Sequence, residues 1–362
     1  MSHPQPKPGI LGIAPYVGGK ASVPGVAHVI KLSSNEDALG ASPRAAEAYS
    51  RAARKLSRYP DPNCTELRQA IGERHGIEPE RIVCGNGSDE LLGLLCHSYA
   101  GPGDEVLYSQ HGFLMYGIYA QSAGATPVMA PETDRHADVD ALLAAVTPRT
   151  KVVFIANPNN PTGTYLSSDE MGRLRRGLRQ DVLLVIDAAY AEYVSRNDYS
   201  PGLELVDDGS NTVMTRTFSK IHGLSSLRLG WCYCPPVIAD VLNRVRAPFN
   251  INAAAQAAGK AAIEDVAFTV LSRAHNQVWL PWLSERMVGL GLRITPSVGN
   301  FLLVDFPEEE RRCAAAADIF LQLRGLICRR VENYGLPNSL RITIGRDDEM
   351  HAVVDALADF MG

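Results

Sequence analysis

The chain lacks the features that mark membrane, secreted and nucleic-acid-binding proteins. No apolar run is long enough to span a bilayer, and the first ten residues lack the apolar core of a signal peptide. The net charge is -5 at pH 7, and no basic run with interleaved aromatic residues occurs. We therefore predict a cytoplasmic protein that binds neither membrane nor nucleic acid.

Cysteine and histidine are sparse and do not form metal-binding patterns. The seven cysteines are an odd number and are scattered, and Cys232 and Cys234 have C-x-C rather than C-x-x-C spacing within an apolar stretch. The nine histidines form no H-E-x-x-H motif. We expect the cysteines to pack in the core and expect no metal site.

Strands and helices alternate over the middle of the chain, from Arg81 to about Pro248. Apolar runs of strand length are Ile82 to Cys84, Glu105 to Tyr108, Lys151 to Ala156, Val182 to Ile186 and Thr212 to Phe218. Helical periodicity lies between them, as in Glu90 to Tyr99, Asp138 to Ala145 and Ser168 to Arg179. This alternation predicts an α/β fold with a mostly parallel sheet covered by helices, in which ligands bind at the carboxyl ends of the strands.

The two ends of the chain differ from this middle part. Residues 1–38 are rich in Pro and Gly and are predicted to form an arm lying on the body or on a partner, before a helix that Ser42 caps and Pro43 opens. Beyond Pro248, one helical stretch from Ala253 through Trp279 leads into further strands and helices. With 362 residues, roughly two domains are expected. We predict an arm at 1–38, a large domain at 39–250 and a smaller α+β domain at 251–362.

Lys220 follows the strand that ends at Phe218, and Arg228 lies eight positions further on, after a Gly-containing turn. A lysine held at the mouth of a sheet can form an imine with an aldehyde cofactor. Taken alone, this stretch fits a solvated lysine better, because buried reactive lysines are uncommon. The residues at neighbouring strand ends decide between these readings.

Three other strand ends carry the groups that an aldehyde-pyridine cofactor with a phosphate tail would need. The turn with Ser88 and Asp89 starts a helix, whose free N–H groups and positive dipole end suit a phosphate. Asp187 ends a strand and could keep a pyridine nitrogen protonated, while Asn160 and Tyr190 could donate to a phenolic oxygen on the ring. Together they favour a cofactor-bound lysine.

Several motifs resemble those of the fold-type I, pyridoxal-phosphate-dependent aminotransferases. These are N-P-N-N-P-T-G at 157–163, D-A-A-Y at 187–190, and T-F-S-K at 217–220 with L-R-L-G at 227–230. With R-Y-P-D-P, G-N-G-S-D-E, Y-G-L-P-N and S-L-R-I-T-I-G, the chain is most similar to the histidinol-phosphate aminotransferase branch, from about Pro15 to Met361. The resemblance implies a large domain with a mostly parallel sheet, a smaller α+β C-terminal domain and an N-terminal arm.

The resemblance assigns roles around the cofactor, pyridoxal 5'-phosphate. Lys220 is implied as the imine-forming lysine and proton shuttle, Asp187 as the partner of the pyridine nitrogen, and Asn160 and Tyr190 as donors to the ring oxygen. Phe113 would stack on the ring. The cofactor phosphate would be held by Ser88, Asp89, Thr217, Ser219 and Arg228. Tyr59 would reach that phosphate from the other subunit, which implies a homodimer.

The substrate side is implied in the same way. Arg341 and Arg329 match the family's anion-binding arginines, with Tyr16 and Asn35 lining the pocket; Arg330 is a competing neighbour that fits a surface charge. A planar guanidinium suits both a carboxylate and a phosphate ester. His111 and His222 depart from the family pattern near Phe113 and Lys220, which leaves the side-chain preference of the pocket open.

The implied reaction is a ping-pong amino transfer between histidinol phosphate (imidazole acetol phosphate on the keto side) and glutamate or 2-oxoglutarate, in histidine biosynthesis. An aromatic amino acid aminotransferase acting on phenylalanine, tyrosine or arogenate is the alternative, and a threonine-phosphate decarboxylase is a further one. A DNA-binding regulator built on this fold is disfavoured, because the arm before Asn35 is too short and too rich in Pro and Gly for a DNA-binding module.

Overall fold

The computed structural model describes residues 4–362, so the first three residues of the predicted arm lie outside the described part. The strands are β1 Ile30–Lys31, β2 Ile82–Gly85, β3 Glu105–Ser109, β4 Thr126–Ala130, β5 Glu132–Thr133, β6 His136–Ala137, β7 Thr150–Ala156, β8 Leu183–Asp187, β9 Thr212–Thr217, β10 Gly230–Tyr233, β11 Arg293–Thr295, β12 Phe301–Asp305, β13 Leu326–Ile327, β14 Arg329–Val331 and β15 Leu336–Thr343. The helices are α1 Pro43–Ala52, α2 Thr65–His75, α3 Ser88–Tyr99, α4 Met115–Ala123, α5 Val139–Ala144, α6 Ser168–Gly177, α7 Leu203–Asp207, α8 Pro236–Val245, α9 Ala253–Glu264, α10 Val266–Gly289, α11 Ala314–Leu323 and α12 Asp347–Met361.

A seven-stranded sheet with the order β2-β10-β9-β8-β7-β3-β4 forms the centre of the larger part. Six strands run in one direction, and β10 is antiparallel to both of its neighbours. The predicted mostly parallel sheet is confirmed, and so are its five predicted strands. β4 and β10 were not predicted. β4 is a partly exposed edge strand that contains Pro127, and β10 has only four residues.

Helices cover both faces of this sheet, as the alternation within single strands demonstrates. In β2, Ile82 and Cys84 pack in a core with residues of α2 and α9, whereas Val83 packs in a second core with residues of α3 and α8. Successive side chains of a strand point to opposite faces, so both faces are buried. The carboxyl ends of the strands are therefore the exposed edge at which a ligand can bind.

The C-terminal part contains a four-stranded antiparallel sheet with the order β11-β12-β15-β14, packed against α10, α11 and α12. The arm joins this part, because β1 pairs in parallel with β13 and Leu32 is buried in the same core. The predicted continuous helix from Ala253 to Trp279 is wrong in one respect. It breaks at Asp265, whose carboxylate accepts a hydrogen bond from the Phe268 N–H at 3.3 Å and so caps a new helix, α10.

The predicted start of the first helix is confirmed: the Ser42 hydroxyl accepts a hydrogen bond from the Ala45 N–H at 3.1 Å, and Pro43 is the first helical residue. No helix within residues 4–362 is long and apolar enough to cross a membrane.

Candidate active site

A cavity of about 460 Å³ lies at the carboxyl ends of the central strands, where the arm and β15 close over them. All but two of the predicted site residues line it. The lining residues from that set are Tyr16, Asn35, Ser88, Asp89, Phe113, Asn160, Asp187, Tyr190, Thr217, Ser219, Lys220, Arg228 and Arg341. The two exceptions are Tyr59 and Arg329. The parallel-strand rule thus located the cavity before any side chain was placed.

Lys220 is held inside this cavity rather than solvated at the surface. Its Nζ donates a hydrogen bond to the Ser34 carbonyl oxygen at 3.0 Å and lies 5.6 Å from the centre of the Tyr190 ring. Burial lowers the pKa of Lys220 to about 8, and the positive charge of Arg341 lowers it further in the same direction. A substantial share of this amine is therefore neutral at mildly alkaline pH.

Asp187 ends β8 and is buried. The Tyr116 hydroxyl donates to one of its oxygens at 2.9 Å, and the Thr215 hydroxyl donates to the other at 3.4 Å. Burial raises the pKa of Asp187 to about 6, and the hydrogen bond from Tyr116 opposes that rise. Tyr116 itself is buried and stacks on Phe154 at 4.7 Å between ring centres. The carboxylate is thus fixed in place and ionised at neutral pH.

The start of α3 and the turn after β9 meet at one end of the cavity. No side chain caps α3 at Gly87, so the N–H groups of its first turn lack a side-chain acceptor at the cap. Arg228 lies over this turn, donating to the Asp89 carboxylate at 3.0 Å and to the Ser219 hydroxyl at 3.3 Å. A Cβ on Gly87 would overlap the Arg228 guanidinium. Free N–H groups, a guanidinium and hydroxyls therefore converge where a phosphate group would fit.

Arg341 projects from β15 into the cavity and is buried. Its guanidinium donates to the Asn160 side-chain oxygen and to the Ser33 carbonyl oxygen, the latter at 2.8 Å, while its Nε has no partner within the described part. Burial lowers the pKa of Arg341. Beside it, the Asn35 amide donates to the Tyr190 hydroxyl at 2.9 Å, and burial raises the pKa of Tyr190 to about 12. The tyrosine therefore keeps its proton and can donate it in a hydrogen bond.

Tyr59 and Arg329 lie outside the cavity of their own chain. Tyr59 is 82% exposed and stacks on Phe249 at 4.5 Å between ring centres. The Arg329 guanidinium donates to the Val17 carbonyl oxygen at 2.7 Å and lies 6.0 Å from the ring centre of Tyr16, which does line the cavity. Arg329 thus contacts the cavity through Tyr16. Its neighbour Arg330 pairs with Glu332 at 2.7 Å, as a surface charge would.

The two histidines that depart from the family pattern do not line the cavity. The His111 ring contacts the Glu132 carboxylate at 2.7 Å, and the buried His222 ring packs on Phe218 at 4.9 Å between centres. Both rings therefore stabilise surrounding structure rather than contact a ligand. Phe113, next to His111, does line the cavity and packs edge-on against Tyr116 at 5.8 Å.

Sequence reasoning missed four residues of the site. Tyr116 and Thr215 hold Asp187, and Lys31 donates to the Glu36 carboxylate at 2.6 Å on the cavity wall. No motif marked any of them. Only the folding of the arm over the strand ends, and the packing of α4 behind Asp187, bring them there. Within residues 4–362, no group of three or more His, Cys, Asp or Glu side chains could hold a metal ion.

Comparisons with known proteins agree with this site. Residues 27–357 match the family described as aminotransferase class I and II. A histidinol-phosphate aminotransferase of Paramagnetospirillum magneticum is 60% identical over 362 residues, covering 100% of both chains, and one of Rhodospirillum rubrum is 61% identical over 99% of this chain and 97% of its own. The crystal structure of histidinol-phosphate aminotransferase from Sinorhizobium meliloti in complex with pyridoxal-5'-phosphate has a TM-score of 0.90 and 27% identity, covering 99% of this chain and 98% of that one. The chain belongs to the class I and II aminotransferase family.

Proposed function

We propose that this protein moves an amino group between histidinol phosphate (imidazole acetol phosphate on the keto side) and glutamate or 2-oxoglutarate in histidine biosynthesis, with pyridoxal 5'-phosphate as cofactor. The observation that carries the proposal is the lysine amine of Lys220 and the buried carboxylate of Asp187 facing one cavity. It stands in a chain that is 60% identical, over its whole length, to an enzyme named for this reaction.

The cavity suits the cofactor at both of its ends. The uncapped start of α3, with Ser88 and Asp89, would hold the phosphate through backbone N–H groups, together with the side chains of Thr217, Ser219 and Arg228. Asp187 lies at the other end, where it would hold the protonated ring nitrogen. Phe113 would cover one ring face, while Asn160 and Tyr190 would donate to the ring oxygen.

When bound, the cofactor supplies an aldehyde that a lysine amine can condense with and a protonated ring that stores an electron pair. Lys220 would move the proton between the substrate carbon and the cofactor. A pKa of about 8 leaves it a base near the working pH and a competent acid afterwards. Asp187, held by Tyr116 and Thr215, stays ionised above pH 6 and so can keep the ring nitrogen protonated.

Arg341 is the residue we assign to the anionic group of the substrate. Its guanidinium is buried, is fixed by Asn160 and Ser33, and keeps an N–H without a partner in the described part of the chain. A buried, planar donor of this kind can pair with a carboxylate or a phosphate ester, and the two half-reactions require both. Arg329, Tyr16 and Asn35 would complete the wall near it.

We further infer a homodimer in which Tyr59 serves the cavity of the partner. Tyr59 is 82% exposed and faces away from its own cavity, and it stacks on the neighbouring Phe249. Such an exposed aromatic pair suits a protein contact. The arm at 1–38, the large domain at 39–250 and the small domain at 251–362 remain our division of the chain, and a cytoplasmic location remains a prediction.

The half-reaction tests the proposal. Purified holoenzyme given histidinol phosphate without an acceptor should convert its cofactor absorbance to that of the amine form, and 2-oxoglutarate should reverse the change. Lys220→Ala should slow this conversion by about 10²- to 10⁴-fold or more. Lys260→Ala is the matched control, because Lys260 pairs with Glu66 at the surface at 2.8 Å. An undiminished rate in Lys220→Ala would contradict the assignment.

The same assay ranks the alternatives. A kcat/KM for phenylalanine or tyrosine above that for histidinol phosphate would make the protein an aromatic amino acid aminotransferase. Release of carbon dioxide from threonine phosphate with retention of the product amine would identify a decarboxylase. Our proposal requires histidinol phosphate to be the preferred donor and requires no carbon dioxide release.

A further inference from the structure

Two free cysteines that the amino-transfer reaction does not use lie side by side outside the active-site cavity. Cys64 is the residue immediately before α2, and Cys84 lies in β2. Both are nearly buried, with 4% and 5% of their surface exposed, and their sulfur atoms are in hydrogen-bond contact. The fold thus brings together two thiols that are twenty positions apart in the sequence.

The pair is not sealed from solvent. Both cysteines line a small cavity of about 10 Å³, which has room for about one water-sized molecule. The exposed residues Pro62, Asn63 and Asn243 form its outer rim. A small polar oxidant can therefore reach the sulfur atoms without unfolding of the core.

The charges around the pair divide the roles of the two thiols. The hydrogen bond from Cys84 and the positive charge of Arg246 lower the pKa of Cys64, while burial and Asp61 oppose that change. The start of α2 also favours an anion there, since its first N–H groups point toward Cys64. The pKa of Cys84 is raised well above its ordinary value, because its proton bonds to Cys64 and because it is buried. Cys64 is therefore the thiolate of the pair, and Cys84 is the thiol.

We propose that Cys64 and Cys84 form a peroxide-reactive pair that is oxidised to a disulfide. The Cys64 thiolate attacks one oxygen of a hydroperoxide, the O–O bond breaks, and Cys64 becomes a sulfenic acid as the other oxygen leaves as water or alcohol after protonation. Cys84 then attacks the Cys64 sulfur, the S–O bond breaks, and a second water leaves with the Cys84 proton. In sum, two thiols lose two electrons and two protons to one hydroperoxide.

The position of the pair gives the oxidation a place in the structure where it matters. Cys64 follows the segment that carries Tyr59, and Cys84 is followed within four residues by Ser88 at the start of α3. The disulfide would join the segment that we assign to the subunit contact to the strand that leads to the phosphate site. A reducing agent would release it.

The experiment uses reduced, cofactor-loaded protein treated with hydrogen peroxide, followed by alkylation, proteolysis and mass spectrometry. We expect a peptide pair joined through Cys64 and Cys84, lighter by two hydrogens than the free peptides and separated by dithiothreitol. In Cys84→Ser, dimedone should trap Cys64 as a sulfenic acid. Maleimide should label Cys64 at least about tenfold faster than Cys96, whose pKa burial raises to about 12.

Two internal references make the result decisive. Cys313 is partly exposed and reports that peroxide has acted, and Cys232 and Cys234 form a fully buried thiol pair without a cavity of this kind. If Cys313 is oxidised while Cys64 and Cys84 remain fully alkylatable in the wild-type protein, the proposal is wrong. The same holds if Cys232 and Cys234 react as readily as this pair. The wild-type measurement stands by itself even where a cysteine variant folds poorly.

Discussion

Asp187 illustrates, at the scale of single residues, what the fold gives up to build the site. Burial raises its pKa from 3.8 to about 6, so the folded, cofactor-free protein holds this proton to a higher pH than the unfolded chain does. Ionising the group in the folded state costs about 3 kcal/mol in total. The sign follows: the cost is absent below the unfolded pKa near 4 and is fully present once the pH has risen through 6.

We therefore predict that Asp187→Asn stabilises the cofactor-free protein at pH 8 while abolishing amino transfer. The free energy of unfolding in urea should exceed that of the wild type by about 1–3 kcal/mol at pH 8, and the difference should vanish toward pH 4. Asp208→Asn, at the exposed end of α7, should leave no such pH-dependent gap. A gap that narrows as the pH rises would contradict this account.

Tyr116 should control how acidic Asp187 is. Its hydroxyl donates to the carboxylate at 2.9 Å, and a hydrogen bond to a charged group contributes about 1.5–3 kcal/mol. In Tyr116→Phe the pKa of Asp187 should rise further, so pyridoxal-phosphate binding should be lost at a pH about one unit higher than in the wild type. Tyr108→Phe is the matched control, because Tyr108 packs edge-on against the same ring at 6.0 Å but does not bond Asp187. Equal binding profiles in the two variants would remove Tyr116 from the site.

Sequence reasoning could reach those residues that stand at strand ends within a recognisable motif. Asp187, Asn160 and Lys220 each end or follow a strand, and the carboxyl ends of parallel strands share one edge. Tyr116 could not be predicted, because its role depends on how α4 packs behind β8. His222 follows Lys220 by two positions, yet the turn directs its ring onto Phe218 and away from the cavity.

Among the elements, the start of α3 depends on Gly87. Its φ of +81° is strained for any residue with a Cβ, and that Cβ would overlap the Arg228 guanidinium. We predict that Gly87→Ala displaces Arg228 and raises the Kd of pyridoxal phosphate at least about tenfold, while the Kd of pyridoxal, which has no phosphate, changes little. Titration of the cofactor-free protein with each compound measures both constants.

Gly103→Ala separates backbone strain from loss of the phosphate site. Gly103 also has a positive φ, of +91°, but a Cβ there would meet open space. Both variants should lose roughly 1–2 kcal/mol of stability from the left-handed backbone, and only Gly87→Ala should weaken phosphate binding. An equal loss of cofactor affinity in both would mean that general destabilisation, not the phosphate site, is responsible.

Long, strongly apolar elements were predictable, and short or context-dependent ones were not. β7 and β9 are buried along their length, so their sequences carry the signal by themselves. β10 is a four-residue strand whose partners lie on both sides of it, and β14 pairs within three residues. The break at Asp265 was missed because Ala-rich and apolar residues continue on both sides, and only the cap identifies a new start.

At the scale of the whole molecule, the cavity is assembled from parts that are distant in sequence. Lys220 and Asp187 come from the central sheet, Asn35 from the arm, and Arg341 from the C-terminal sheet. The arm is anchored to that second sheet's core through Leu32. Composition and periodicity could predict two units and an arm, but the way they close over Lys220 depends on long-range contacts that no local pattern encodes.

The proposed dimer makes a prediction that only the assembled molecule can satisfy. If Tyr59 serves the partner's cavity, then Tyr59→Ala and Lys220→Ala impair different chains' contributions to one site. A mixed dimer of the two variants contains one site with an intact Lys220 and an intact Tyr59, and a second site that lacks both. Equal amounts of the two, dissociated and reassociated at random, should regain about a quarter of the wild-type activity.

The unmixed variants at the same total concentration set the baseline. If Tyr59 acted within its own chain, each mixed dimer would hold one site without Tyr59 and one without Lys220, and mixing would add nothing. Because Tyr59 is 82% exposed and does not line its own cavity, we expect the activity to return. The size of that return, measured against the fraction of mixed dimers, distinguishes service of the partner's site from service of its own.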